Sequence, residues 1–461
     1  MKYTTPLALL ASWLATTALA SPTPASPDII AVIPEPIDKR AAIPPTITTE
    51  PQVDAALAGA SDHDTFDLIL NRIQPSAKPS SVAEAVQRIN DVHARHPTNI
   101  RTAAFNLVLQ GVASREKAKE WIAQHLKLAL TFNNNPSPPA GSAVYPRKGA
   151  SDAPYTLPES VLRNALYIPP TFTYGRIKPV LLVPGTGNIA LETYSFNFGK
   201  LFAGSDYADP VYLNVPGHLL NDVQLNTEFV AYAINYLSAI SGNARIGVVA
   251  WSQGSIISQW AFRYWPSTRG SVDDLIVISG DLKGTVLADA LCLALPCQPA
   301  VEQQRATSRL VATLRNGGGA SAYVPTTVIY SATDEIVQPQ SGAGASSYVL
   351  DSRGVGVTNA FLQEVCHGLP AGGLYTHEGV LYNPIAFALA RDALTHDGPG
   401  LLSRIDLGAE CRKVVPDGLG VEDVLGTEAA LVVAAVGLVT YPVRTFVEPP
   451  IRGYAVRDVP R

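Results

Sequence analysis

Between Lys178 and Asp334, short β-branched apolar runs alternate with helical stretches, and that alternation constrains the fold more than any other feature of the chain. "KPVLLVPG", "DPVYLNVP", "ARIGVVAW", "DLIVISGD" and "TTVIYSATDE" are short and bounded by Pro, Gly or Asp, the pattern of strands buried on both faces. Residues 221–241 carry a helical repeat in which Val223, Phe229, Val230, Ile234 and Leu237 share a face, and "SIISQWAFRYW" continues as another helix. Strands separated by helices predict an α/β fold with a mostly parallel central sheet flanked by helices. Ligands of such sheets bind beyond the carboxyl ends of the strands.

The chain before this block reads differently. Lys2, the apolar stretch "PLALLASWLATTALA" and the small residues Ala18-Leu19-Ala20 form the pattern of a secretory signal over 1–20. A Pro-rich segment, 21–40, ends on the dibasic pair Lys39-Arg40 and reads as a pro-peptide. From 41 to 150 the pattern is that of a helical extension and a linker. Ser81-Val82-Ala83-Glu84 is a capping-box signature with Val82, Val86 and Ile89 following at helical spacing. A further helix is predicted from Ser114 to about Phe132, and "NNNPSPPAGSAVYPRKGASDAP" reads as a linker, with the catalytic domain expected over 151–461.

Composition narrows the function. Of the 461 residues 47% are apolar and 16% charged, too apolar for a disordered chain, and the net charge of −5 gives no basic footprint for nucleic acid. Four cysteines in a secreted chain imply two disulfides. Cys292 and Cys297 are close enough for a local clip, and Cys366 and Cys411 would then close a longer loop. No C-x-x-C pair or His/Cys cluster points to a metal, and no cofactor is expected. The late apolar run Ala429 to Val439 is shorter than the roughly 20 residues a bilayer span needs, so no transmembrane segment is expected. The Ala/Val-rich segment from Gly426 to Val439 is a helix candidate that either packs deep or lines an apolar cavity.

The chemistry centres on "VVAWSQGS", residues 248–255, where a strand runs through a tight turn into a helix. A serine hydroxyl becomes a nucleophile when a base takes its proton and a turn exposes it. Small residues two before and two after allow such a turn, and here they are Ala250 and Gly254 around Ser252. The acid and base should follow in chain order. Asp273, Asp274, Asp281, Asp289 and Asp334 are available, and Asp334 lies just beyond a late strand. His367, His377 and His396 are nearly equal by spacing, with His377 in the Gly-rich context "GGLYTHEG". Oxyanion donors are expected from the backbone N–H of Gln253 and from the loop "PGTG" after an early strand.

Taken together and in order, "KPVLLVPGTG", "LLNDVQLNTEF", "WSQG", "DLKGTVLA" and "VPTTVIYSATDEIVQPQ" resemble the lipase B family typified by the Candida antarctica enzyme, over roughly Pro158 to Cys411. The resemblance implies an α/β-hydrolase fold and a serine lipase or carboxylic ester hydrolase. It implies Ser252 as nucleophile, Asp334 as the acid, His377 as the base, and Thr186 with Gln253 as the oxyanion hole. It further implies a substrate pocket at Trp251 and Asp281, with Trp251 as its floor and Asp281 as a buried acid near the elbow, and a disulfide between Cys366 and Cys411 around the histidine loop. Members of the family also lack the first elbow glycine. Two features depart from the pattern: the family's disulfide near the start of the catalytic domain has no counterpart, and Cys292 and Cys297 fall where the family carries a small mobile helix. The expected partner is an ester or lipid substrate, in solution or at a lipid–water interface. A narrower carboxylesterase or acyl-transferring enzyme is the alternative, and the intact constellation argues against a non-catalytic lipid-binding relative.

Overall fold

The computed structural model describes residues 43–128 and 135–461. The predicted signal and pro-peptide segments, and the last residues of the helix expected to reach Phe132, lie outside the described residues. Among the described residues seven strands form one sheet: β1 (Leu166–Tyr167), β2 (Pro179–Val183), β3 (Asp209–Leu213), β4 (Ile246–Trp251), β5 (Val272–Ile278), β6 (Thr326–Tyr330) and β7 (Val357–Phe361). Their spatial order is β1-β3-β2-β4-β5-β6-β7; β1 runs antiparallel to β3 and all the other pairs are parallel. The five predicted strands are all present. The two edge strands carried no signal in the sequence: β1 is two residues long, and the exposed side of β7 leaves it only partly buried.

Side-chain alternation along the strands builds two cores, one on each face of the sheet. Val180 and Leu182 of β2, with Val249, Trp251, Ile276 and Ile278, enter one core. Leu181 and Val183, with Val248, Ala250, Leu275 and Val277, enter the other. On the second face lie the helices Val223–Ile240 and Gln253–Tyr264. The first of these departs from its predicted one-sided pattern, being buried almost throughout. Its outer side is covered by the linker and the C-terminal tail. Thr156 and Leu157 donate backbone N–H groups to Glu228 (2.7 and 3.1 Å), and Gln224 bonds Pro450 and Arg452. The described part of the linker, from 135 onward, joins this strap, with the Pro136 carbonyl accepting from the Tyr236 hydroxyl of the same helix (2.8 Å).

The opposite core holds the N-terminal helices: α1 (Glu50–Leu57), α2 (His63–Arg72), α3 (Val82–Arg95), α4 (Ile100–Leu109) and α5 (Arg115–Leu128). Phe66, Ile89 and Phe105 from these helices share this core with Val249 and Ile276 of the sheet. At the start of α3, the Ser81 hydroxyl accepts from the Glu84 N–H (3.2 Å), and the Glu84 carboxylate reaches back to the Ser80 N–H (2.8 Å). The return bond falls one residue earlier than in a capping box.

Against α3, α4 and α5 packs the C-terminal helix Val421–Thr440. The prediction of a short apolar run is corrected here: the helix extends over 20 residues and is long and apolar enough to cross a membrane by length and composition. Of its most apolar window, however, 83% is buried inside the fold. Polar and small residues at its start, among them Asp423, Gly426 and Thr427, are helical because tertiary contacts hold them. Both cysteine pairs are bridged, Cys292 to Cys297 and Cys366 to Cys411.

Candidate active site

Parallel pairing brings the carboxyl ends of β2, β4, β5 and β6 together, with Val183 beside Ala250, Trp251 beside Ile278, and Ile278 beside Ile329. Ser252 is the first residue past β4. Its backbone stands at φ 54° and ψ −126°, a conformation that costs a non-glycine residue on the order of 1–3 kcal/mol and needs support from its surroundings. The support is visible. The Ser252 N–H donates to the Ile278 carbonyl (3.1 Å), and the Ser252 carbonyl accepts from the Ser255 hydroxyl (2.7 Å).

The small residues around the turn have different reasons. A Cβ on Gly254 would lie 2.7 Å from the Val183 carbonyl oxygen and 2.8 Å from that of Pro184, so the helix after Ser252 can sit against β2 only with glycine there. Ala250 carries a methyl group buried in the core of the second face. The missing first glycine therefore leaves the turn intact.

Of the three candidate histidines, the structure brings only His377 to the cavity that Ser252 lines. His367 is exposed, and His396 pairs with Asp392 (3.1 Å) at the end of another helix. His377 Nδ1 lies 2.8 Å from Asp334 Oδ2, and Asp334 Oδ1 accepts from the backbone N–H groups of Ile336 (3.0 Å) and Val337 (2.7 Å). The histidine backbone is held too. Its N–H donates to Glu335 (3.0 Å), and its carbonyl accepts from the Trp251 indole and the Ser279 hydroxyl (3.2 Å each). Burial pushes the imidazolium down, but the charge and hydrogen bond of Asp334 outweigh it and raise the group to about 9.

The other carboxylates are committed elsewhere. Asp273 pairs with Lys178 and Arg245, and Asp289 with Arg305. Asp274 is buried in β5, and burial raises it to about 8. Asp281 was expected at the substrate pocket and is corrected: it is absent from the cavity lining and lies fully buried behind the turn. There its N–H donates to the Ser255 hydroxyl (3.0 Å), and burial raises its carboxyl to about 6. Asp281 therefore braces the helix that carries Ser252.

Thr186 also lines the cavity. Its hydroxyl accepts from the Gln253 side chain (2.8 Å) and donates to Gln304 Oε1 (2.9 Å). Gln253 is fixed in turn by Asn226, which donates to its Oε1 (3.0 Å), and by its own bond to the Leu219 carbonyl (3.0 Å). Gln304 was not singled out from the sequence; it stands in a glutamine pair with no motif around it. Glu335 was passed over for its neighbour Asp334. Ile100, from the N-terminal extension, also reaches the cavity and carries no local sign of doing so. Trp251 lines the cavity with its ring 4.8 Å from that of His377. The remaining wall is mostly apolar, built largely from Leu287, Leu291, Ile336, Val337, Leu431 and Leu438 with Thr285 and Glu378 as polar members, and the cavity measures about 90 Å³. A buried serine on a strained turn, a carboxylate-paired imidazole and an apolar wall are the parts that acyl transfer uses.

No protein-family model matches the chain. Among curated proteins, lipase B of Pseudozyma antarctica is 36% identical over 310 residues, spanning 66% of this chain and 87% of that protein. Among solved structures, lipase B of Aspergillus fumigatus superposes with a TM-score of 0.79 at 46% identity, covering 87% of this chain and 98% of that chain. Identity of this order over most of the relative's length places the chain in the lipase B family, lipase-type serine ester hydrolases of the α/β-hydrolase fold.

Proposed function

We propose that the chain is a secreted lipase that cleaves acylglycerol-type esters through an acyl-enzyme, with Ser252, His377 and Asp334 as its triad. The observation that carries this reading is the meeting of Ser252, on its strained turn, and the Asp334-paired His377 in one apolar cavity. His377 takes the hydroxyl proton as Ser252 attacks the ester carbonyl, and Asp334 stabilises the imidazolium that forms. The oxyanion is held by the backbone N–H of Gln253 and by Thr186, whose hydroxyl turns from Gln304 towards the new charge. Loss of one such donor raises the barrier by about 3 kcal/mol. The alcohol leaves with the proton from His377, and water repeats the steps on the acyl-enzyme. Trp251 forms the floor against which the alcohol lies.

The leader-like residues 1–20, the dibasic end of 21–40 and the two disulfides support secretion with processing near Arg40. The core shared by the N-terminal helices and the sheet supports a reading in which the 41–150 extension stays with a catalytic domain over 151–461. The small volume of the cavity, about 90 Å³, favours a second reading, a carboxylesterase or acyl-transferring enzyme with little activity on long-chain lipid.

Ser252→Ala should abolish both turnover and covalent labelling by a fluorophosphonate. Labelling that survives the substitution overturns the nucleophile assignment. Ester hydrolysis measured over increasing chain length, in solution and in emulsion, separates the lipase from the narrower esterase.

A further inference from the structure

The cavity around Ser252 and His377 is lined in part by a residue from outside the sheet and its crossover helices. Ile100 is the first residue of α4, and among the described residues it is the only one before Thr186 that lines this cavity. Its position is held from several directions. The Asn99 side chain caps α4 by accepting from the Thr102 N–H (3.1 Å), and Ile100 packs against the core on its inner side. The body of α4 is buried along its whole length after the first turn and rests on the C-terminal helix. That helix presents Leu431, Ala434 and Leu438 to the same cavity.

Another part of the lining is of a different kind. Leu287, Ala288 and Leu291 belong to the helix Val286–Ala294, where Val286 is 50% and Leu291 42% exposed. A chain entering the cavity therefore meets one wall anchored in the core and one wall at the surface. The anchored lining sets the limit, because Ile100, Leu431 and Ala434 are backed by packed helices, whereas Leu291 stands on a helix with an exposed outer side.

We infer that Ile100 is a specificity-determining residue: it limits the length of the apolar chain that the cavity accepts, so part of the substrate range is written in the N-terminal helical extension. The inference rests on the ester-hydrolase reading. An apolar pocket discriminates one methylene by roughly tenfold or more, so removing or adding side-chain bulk at Ile100 moves the chain-length profile by a measurable step.

The experiment compares the parent with Ile100→Ala and Ile100→Trp, and with Ile100→Val as a conservative control. Two ester series are used, one varying the acyl chain on a fixed short alcohol and one varying the alcohol chain on a fixed short acid. The readout is the ratio of kcat/KM between long and short members, which is independent of the fraction of folded enzyme. Ile100→Ala should raise that ratio about tenfold in at least one series, Ile100→Trp should lower it by a similar factor, and Ile100→Val should fall between Ile100→Ala and the parent. Profiles of Ile100→Ala and Ile100→Trp that superimpose on the parent in both series overturn the proposal. Labelling rates with short and long alkyl fluorophosphonates are measured alongside. Failure of the parent to hydrolyse any ester or to be labelled would overturn the functional reading itself, a result distinct from unchanged profiles in an active enzyme.

Discussion

At Ser252 and its neighbours, backbone geometry decides the chemistry available. A serine at positive φ persists only where the surroundings over-determine it, and here they do so with the Ile278 carbonyl below and the Ser255 hydroxyl behind. Gly254 is the least replaceable of the small residues, because the atoms its Cβ would meet are backbone carbonyl oxygens on β2 and the residue after it. Gly254→Ala should therefore destabilise the protein by about 1–3 kcal/mol and lower kcat at least tenfold by displacing Ser252. A thermal melt and active-site titration check both, and a wild-type melt with full turnover would show that the helix can shift freely. Glycine at this position and the strand before it were legible in the sequence. The left-handed strain of Ser252 was implicit in the motif, whereas the bracing of Ser255 by Asp281 was not, since a buried aspartate and a pocket aspartate look alike in a string of letters.

Among the elements, the C-terminal helix Val421–Thr440 joins the extension to the site. Its outer side is covered by α3, α4 and α5, while Leu431, Ala434 and Leu438 face the cavity. Deleting residues 43–128 would leave a 20-residue apolar helix facing water. The expected outcome is loss of soluble, active protein, with strong binding of a hydrophobic dye by whatever material remains soluble. Soluble yield, dye fluorescence and ester hydrolysis of the shortened chain measure it; a well-behaved active fragment would show that the hydrolase portion is self-sufficient. The apolar run of this helix was visible in the sequence, but its full length was not. Gly426 and Thr427 in its first half lower local helix preference, and contacts with the extension supply what propensity lacks.

Across the whole molecule, buried ionisable groups set activity and stability against each other. His377 is raised to about 9 and must be neutral to accept a proton, so turnover should climb as pH rises towards that value. Stability should move the other way. For a histidine raised above its unfolded value of about 6.5, the contribution is complete below that value and is lost as pH rises through about 9. Glu378 and Glu428 are raised by burial, with neighbouring carboxylates, Glu335 among them, adding to the shift. The folded chain therefore holds more protons than the unfolded chain, whose glutamates ionise near about 4.3, and this contribution also falls as pH increases. We expect kcat/KM to rise and Tm to fall between neutral and mildly alkaline pH. Glu428→Gln, which keeps an acceptor for the Tyr382 hydroxyl, should make the fall in Tm shallower. Parallel pH series of initial rates and melts check the pair, and a Tm that rises across this range would contradict the sign.

The sequence by itself determined the parts that depend on local pattern. Strands buried on both faces are continuous apolar runs, crossover helices show a period, and the turn at Ser252 needs small residues at fixed offsets, so all of these are written in neighbouring letters. Tertiary structure alone decided what depends on which distant segments meet. By spacing the three histidines were nearly equal, and only the resemblance pointed to His377; the fold brings His377 to Asp334 and to the cavity that Ser252 lines, while leaving His367 exposed and His396 with Asp392. The same holds for the Thr186–Gln304 bond, for the strap that buries both sides of the helix Val223–Ile240, and for Ile100 at the cavity wall. The physical reason is common to all of them: a contact between residues far apart in sequence depends on the packing of every element between them, and no local periodicity encodes that packing.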